Sequence, residues 1–592
     1  ELYAWRKQMN RKLLFATVLA GLGLAGCDSG DINLEPTNID NSNQGNTTTN
    51  PPPVADNPCA SYEEAGQTFE GEVDADGNCF YDSSFVSDTR PITVSSIRFP
   101  QLDGGALHIF EDSLFIGEDV NQNAAASGVR VPQEGEGTRL IIDAGNTMVF
   151  QASDSYIRIA RGSQIFAEGT AAEPIVFTAD EDAVLGVGTE SDRGLWGGLQ
   201  VNGNAPTNKC HDGTVTGQAG VAGDSQFDAD GVNPHSCHAI AEGRPATYGG
   251  NNPTENSGVL TYVVVKHAGF EVVDGNELNA VTLNGVGSGT TISHVQTYTT
   301  LDDGFEMFGG AVNLDHIVAV NVGDDSIDYS EGYQGDIQYA VVVDTSGANR
   351  CVEGDNTGEN IPDGITPRTK LRISNLTCIT SNIDEEAGTN PSAKGDSEGP
   401  LFREGTFFEM YNSIVTSNAT DMASNECVEL DDSEGPETID AAQDGTSVAS
   451  SNVVACSEAL KIGADAANSG FDFANWMQGG GINADTPANG NTNNVVDETN
   501  LPFASLIVGG TGTRGYLTAP DIQDSTGAAV FDQANDLFDA GGLPDRQLYP
   551  TIFSSPVVVP SPFETPTYLG GANEGDDWLD GWAVGLDDAL NP

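Results

Sequence analysis

Asp302-Asp303 and Asp324-Asp325 stand 22 residues apart, and Glu306 and Asp328 follow the two pairs at matching offsets. If the chain repeats with that period, the six carboxylates stack at the spacing of neighbouring β-strands, about 5 Å, where like charges repel. A hard cation with oxygen ligands, Ca²⁺ above all, answers that repulsion. Asp302, Asp303, Glu306, Asp324, Asp325 and Asp328 are therefore the candidate metal ligands. Partial protonation, backbone N–H groups capping turn carboxylates, or side chains splayed into water answer it equally. Asp384 and Asp421 occupy a similar offset in later repeats. Asp74-Ala75-Asp76-Gly77 and Asp228-Ala229-Asp230-Gly231 are each half of an EF-hand-like loop, without the third acid or the distal Glu.

Clustered carboxylates also suit sugar hydrolysis, which uses two of them around a glycosidic bond. A lyase would add a basic residue to take the proton and Ca²⁺ to stabilise the carbanion. Against catalysis, no Gly-His-Gly occurs, and no Lys or Arg lies between Lys266 and Arg350, the segment that holds the acids. The chain carries 23 Lys+Arg against 88 Asp+Glu, a formal charge of −65, which repels nucleic acid, anionic lipid headgroups and anionic polymers. The same charge attracts divalent cations, and it also keeps a protein soluble in salty water.

The elements that would position the acids are short strands. From residue 138 onward, apolar-alternating runs of four to six residues are punctuated by Gly, Asn, Asp and Ser, with no helical period. Runs beginning at Leu260, Ile292, Leu314, Ile337, Ile373 and Met410 align, with spacings of 22 and 23 between Ile292, Leu314 and Ile337 and longer gaps elsewhere. The third position holds Tyr262, His294, His316, Tyr339, Asn375 and Asn412. A strand, a one-residue bend and a second strand would look like this when stacked, since Asn tolerates left-handed backbone. The pattern predicts an all-β fold, a right-handed parallel β-helix (solenoid) with long inserted loops. On this reading His294 and His316 stack on aromatic neighbours and are structural rather than catalytic or metal-binding.

Residues 1–26 read as upstream sequence followed by a lipoprotein signal: basic Arg11-Lys12, an apolar run from Leu13, then Leu24-Ala25-Gly26-Cys27. That ending resembles a bacterial lipobox and implies lipidation at Cys27, hence a membrane anchor. Residues 27–58, rich in Asn, Thr and Pro, cannot bury enough apolar surface to fold and read as a disordered tether. Residues 59–137 are expected as an N-terminal cap, 138–565 as the helix with loops, and 566–592 as a C-terminal cap in which Trp578 and Trp582 cover the last coil. Eight further cysteines fall into neighbouring pairs, Cys59 with Cys79, Cys210 with Cys237, Cys351 with Cys378 and Cys427 with Cys456. In an exported chain these read as disulfides, sequential pairing being the simplest connectivity. The histidines beside Cys210 and Cys237 leave a Zn²⁺ site as the alternative there.

Several stretches occur together in a known family: Glu168–Asp180, Arg193–Gly203, Tyr248–Leu260, Leu301–Asn313, Gly323–Gln338 and Asp577–Trp582. Across roughly residues 140–582 the chain resembles a family of secreted, often lipid-anchored right-handed β-helix proteins of marine and environmental Gram-negative bacteria. The resemblance implies fold and location, and no functional residue can be carried over from it. Together these readings lead to an outer-membrane lipoprotein, facing the periplasm or the cell surface, although Asp28 is a residue that tends to retain enteric lipoproteins at the inner membrane. Its expected role is a binding or scaffold module for a glycan, a divalent cation such as Ca²⁺ or an outer-membrane receptor. The alternative is a Ca²⁺-dependent polysaccharide lyase or glycoside hydrolase. Oligomeric state is left open.

Overall fold

The computed structural model describes residues 57–586 apart from 190, 210–236, 274–275, 345–347, 357–366, 381–396, 418–425, 433–436, 464–469, 481–490, 498–527, 549–556 and 574. The leader, Cys27, most of the tether, Cys210, Asp228, Asp230, Asp384 and Asp421 lie outside the described residues.

The six aligned runs pair in parallel and in the expected order: Leu260 beside Ile292, Ile292 beside Leu314, Leu314 beside Ile337, Ile337 beside Ile373, and Ile373 beside Met410. Each of the first five runs is one long strand bent at its third residue, and the sixth is two strands, Phe407–Tyr411 and Ile414–Ser417, parted at Asn412. Tyr262, His294, His316, Tyr339, Asn375 and Asn412 all have φ between 49° and 61°. Left-handed backbone at non-glycine residues costs about 1–3 kcal/mol each, so something must hold it. Here the side chains stack along the solenoid axis. Tyr262 and His294 ring centroids are 4.4 Å apart, His294 and His316 4.6 Å, and His316 and Tyr339 4.7 Å. The two histidines are therefore rungs of an aromatic ladder.

After each bent strand a turn leads into a short strand of a separate ten-stranded parallel sheet, including Val281–Asn284, Phe305–Phe308 and Ile327–Ser330. A second turn then returns the chain to the next bent strand. The coil from Thr291 to Asn313 repeats this plan in 22 residues. The fold is a parallel β-helix, in which Leu260, Val295, Phe305, Leu314 and Ile327 join one continuous apolar core along the stack. Strand twist favours right-handed winding of such parallel crossovers.

Both ends differ from expectation. Parallel rungs begin well before residue 138: Cys79–Tyr81 pairs with His108–Phe110, Ser96–Phe99 with Arg139–Ile142, and Leu114–Ile116 with Tyr156–Ile159. The antiparallel hairpin Ser61–Glu64 with Gln67–Glu70 and the antiparallel pairing of Glu72–Val73 with Cys79–Tyr81 depart from the coil pattern at this end. In the last coils it is Trp476, on the short helix Phe473–Met477, that enters the core, its indole donating to Ala442 O at 2.7 Å. Trp578 and Trp582 lie elsewhere, edge-on to the ladder: Trp578 is 4.8 Å from His316 and Trp582 5.7 Å from Tyr262. The C-terminal segment runs back along the flank of the bent strands and is gripped by amides. Gln296 exchanges two hydrogen bonds with the backbone of Val584 (2.7 and 2.8 Å), as Gln338 does with Glu564 and Asn412 with Phe538.

Three of the expected disulfides form, Cys59–Cys79, Cys351–Cys378 and Cys427–Cys456, with Cα separations of 5.3, 6.2 and 5.6 Å. The last two tie one coil to the next. Leu314 is 1% exposed between Ile292 and Ile337. Leu314→Ala is expected to cost about 2–5 kcal/mol in chemical denaturation, whereas Val273→Ala, 60% exposed in the antiparallel pair Phe270–Val273 with Asn276–Leu278, should stay within about 0.5 kcal/mol.

Candidate metal centre

Strand alternation decides where the acids point. In Phe305–Phe308 and Ile327–Ser330 the side chains of Phe305, Met307, Ile327 and Tyr329 fill the core, so Glu306 and Asp328 project from the outer face. They are register partners, and Glu353 follows Asp328 in the next coil. Asp302-Asp303 and Asp324-Asp325 sit in the turns that enter these strands.

The inner acid of each turn braces the coil above it. Asn279 Oδ1 accepts from Asp303 N at 3.2 Å, Asp303 Oδ1 from Asp325 N at 3.0 Å, and Asp325 Oδ1 from Arg350 N at 2.7 Å. Backbone capping of turn carboxylates is thus realised at Asp303 and Asp325. Carboxylate oxygens still converge in two groups of three, Asp302 with Asp303 and Asp324, and Asp303 with Glu306 and Asp328, each within 4.8 Å. Two oxygens bound to one Ca²⁺ at 2.3–2.6 Å can stand no more than about 5 Å apart, so either group fits one ion. Asp303 belongs to both. Asp325, expected as a ligand, belongs to neither; the hydrogen bond from Arg350 N fixes it as a brace.

Burial, then the mutual repulsion of neighbouring carboxylates, pushes Asp303, Glu306, Asp325 and Asp328 well above the usual carboxylate range. Asp328 Oδ1 is buried without a hydrogen-bond partner. Further along the same face the acids meet cations. Arg350 bridges Glu398 (2.6 Å) and Glu429 (2.9 Å), Arg403 holds Glu353 and Asp355, and Lys461 reaches Glu426 at 2.7 Å. No Lys or Arg lies between Lys266 and Arg350, the segment that holds the acids at 302–328.

The sequence reading singles out neither Asn279, Arg350, Glu353 nor Arg403. Glu353 follows Asp328 at 25 residues, close enough to the repeat to be found by extending the register. Arg368-Thr369-Lys370 has an Arg-x-Lys spacing, but Arg368 stacks on Phe407 and Lys370 pairs with Glu409 on the bent-strand sheet. Gly395-Asp396-Ser397-Glu398-Gly399 has the spacing of a nucleophile elbow, yet Ser397 is buried and Glu398 is held by Arg350. The Asp74 carboxylate is occupied by its own loop, accepting from Asp76 N, Asn78 N and Asn78 Nδ2 at 2.8–2.9 Å.

A carboxyl whose folded pKa exceeds its unfolded value takes up protons on folding, so its contribution to stability is present at low pH and lost as pH rises through the folded pKa. Thermal melts in EDTA should therefore show Tm rising as pH is lowered from 8 toward 5. Saturating Ca²⁺ should flatten or invert that slope, because ligation requires the ionised form.

The family described as pectate-lyase like beta helix domain matches residues 133–488. No curated protein and no solved structure matches the sequence.

Proposed function

The chain belongs to the family of pectate-lyase-like β-helix domains, and from that premise we propose that it is an extracytoplasmic binding or scaffold module whose ten-stranded face carries a divalent cation, Ca²⁺ by preference. The observation that carries this reading is the pair of largely buried carboxylate triads sharing Asp303, with Asp328 Oδ1 buried and lacking a hydrogen-bond partner, in a segment without Lys or Arg, on a face where Glu353, Glu398, Glu426 and Glu429 are matched by Arg or Lys. Buried like charges cost several kcal/mol unless neutralised. A hard cation neutralises them with the oxygen donors present.

The family match favours a second reading, a Ca²⁺-dependent polysaccharide lyase or glycoside hydrolase. The cations further along this face, Arg350, Arg403 and Lys461, are all engaged with carboxylates, which leaves none of them free to act as a lyase base. Binding without turnover is the simpler use of the site. Export and anchoring at Cys27 in the outer membrane follow from Leu24-Ala25-Gly26-Cys27 and accord with three disulfides, which persist in oxidising compartments. A glycan or an outer-membrane receptor is the expected partner.

Calorimetric melting in Ca²⁺ against EDTA tests the cation. An ion present at about 100 times its Kd adds about 2.7 kcal/mol, a clear rise in Tm, and Asp303→Asn should abolish the rise while remaining at least as stable as the parent in EDTA at pH 8. An unchanged Tm would remove the metal. Turnover of neutral and acidic glycans by the purified protein, lost in Asp303→Asn, would replace the binding reading with the enzymatic one. Replacing Cys27 by Ser should shift the protein from the membrane to the soluble fraction on expression in a Gram-negative host.

A further inference from the structure

At the far end of the bent strands, Lys266 of Gly258–Lys266 and Tyr298 of Thr291–Tyr298 are register partners. The chain leaves Lys266 through His267, itself in left-handed backbone with φ 58°. The preceding rung, Ile175–Ala179, runs into the helical turn Asp180–Ala183, which sets Asp182 beside them. Asp182, Thr189, Ser191, Lys266, His267 and Tyr298 line a cavity of about 540 Å³, within the size range of small-ligand sites.

The bonding within this cavity is lopsided. Asp182 Oδ2 accepts from Lys266 Nζ at 2.7 Å and from Thr178 Oγ1 at 2.8 Å. Asp182 Oδ1 has His267 Nε2 at 3.8 Å, beyond hydrogen-bond length, because the ring is drawn the other way by Nδ1 donating to Asp192 O at 2.7 Å. About a fifth of each of the Asp182 and Lys266 side chains remains exposed. Burial alone would raise the Asp182 carboxyl, but the nearby His267 ring, the hydrogen bonds from Lys266 and Thr178 and the Lys266 charge outweigh it and hold the group below its usual range. The acid stays an acceptor across ordinary pH. The ammonium and the carboxylate balance, so the pocket attracts neither anion nor cation, in a chain of charge −65. Val184, Leu185 and Val187, 44, 53 and 59% exposed, stand immediately before the rim residues Gly188, Thr189 and Ser191. Gly188 lies so close that a Cβ there would meet Asp182 Cα at 3.0 Å.

We propose that this cavity is a binding site for a neutral saccharide residue, with Asp182 Oδ1 accepting from a sugar hydroxyl, Lys266 and the rim hydroxyls donating, and the Val184–Val187 lip covering the apolar face of the ring. A neutral polyol matches a charge-balanced pocket rich in donors and acceptors, whereas a uronate or an amine would leave one member of the Asp182–Lys266 pair opposed. The site does not depend on a cation at Asp303.

Saturation-transfer NMR and titration calorimetry on the disulfide-intact protein, with cellobiose, mannobiose, lactose and maltose as probes and glucuronate as the anionic control, decide the matter. At least one neutral probe should bind saturably, equally well in Ca²⁺ and in EDTA, and more tightly than glucuronate. Asp182→Asn should weaken it by about tenfold or more. The exposed substitution Leu185→Ser, which cannot unfold the protein, should also weaken it. No saturable neutral probe, a preference for glucuronate, or affinity unmoved by both substitutions would overturn the proposal. Loss of binding in EDTA alone would assign the sugar to the Asp303 face instead.

Discussion

Stacking identical positions of successive coils about 4.8 Å apart is the constraint from which the rest follows. Like meets like on every row. For Ile292, Leu314 and Ile337 that is gain, since each buries the next. For the bend residues it turns a strained backbone into a column of stacked rings. In the later coils the same logic makes an amide ladder, where Asn452 donates to Met410 O and its backbone donates to Asn494 Oδ1. For Asp and Glu it is a liability, because a row of carboxylates at that spacing cannot all remain charged without help.

The ten-stranded face shows several remedies side by side. Arg350, Arg403 and Lys461 neutralise Glu353, Glu398, Glu426 and Glu429 from within the chain. Backbone N–H groups take one oxygen of Asp303 and one of Asp325. The two coils that gather Asp302, Asp303, Glu306, Asp324 and Asp328 lie in a stretch of more than eighty residues without Lys or Arg. The proposed cation is the remaining remedy. The feature is local, since the same face supplies its own counter-ions elsewhere.

The period was legible in the sequence wherever coils are short. Ile292, Leu314 and Ile337 could be aligned because apolar starts and unusual bend residues recur together, and the aspartate rows followed from that alignment alone. Arg350 and Arg403 were not legible as partners of the row, because the spacing of aligned runs there lengthens from 22 and 23 residues to 36 between Ile337 and Ile373 and 37 between Ile373 and Met410. The first coils were missed because rungs of three or four residues, such as Cys79–Tyr81 and Leu114–Ile116, carry too little alternation to separate from loop. Asp182 reaches Lys266 across 84 residues, a proximity no local pattern encodes.

A solenoid in which each coil touches only its neighbours can zip up progressively from either end. Here Val584 binds Gln296, 288 residues earlier, and Leu579, Trp582 and Leu586 share an apolar cluster with Val264, Val318 and Val341. The segment around Val584 therefore acts as a clasp that cannot close until residues 579–586 have emerged. Until then the outer side of the bent strands stands bare, and such long-range closure slows folding and leaves the nascent protein open to chaperones and proteases. Truncation from the C-terminus would be felt in the middle of the molecule rather than at its end.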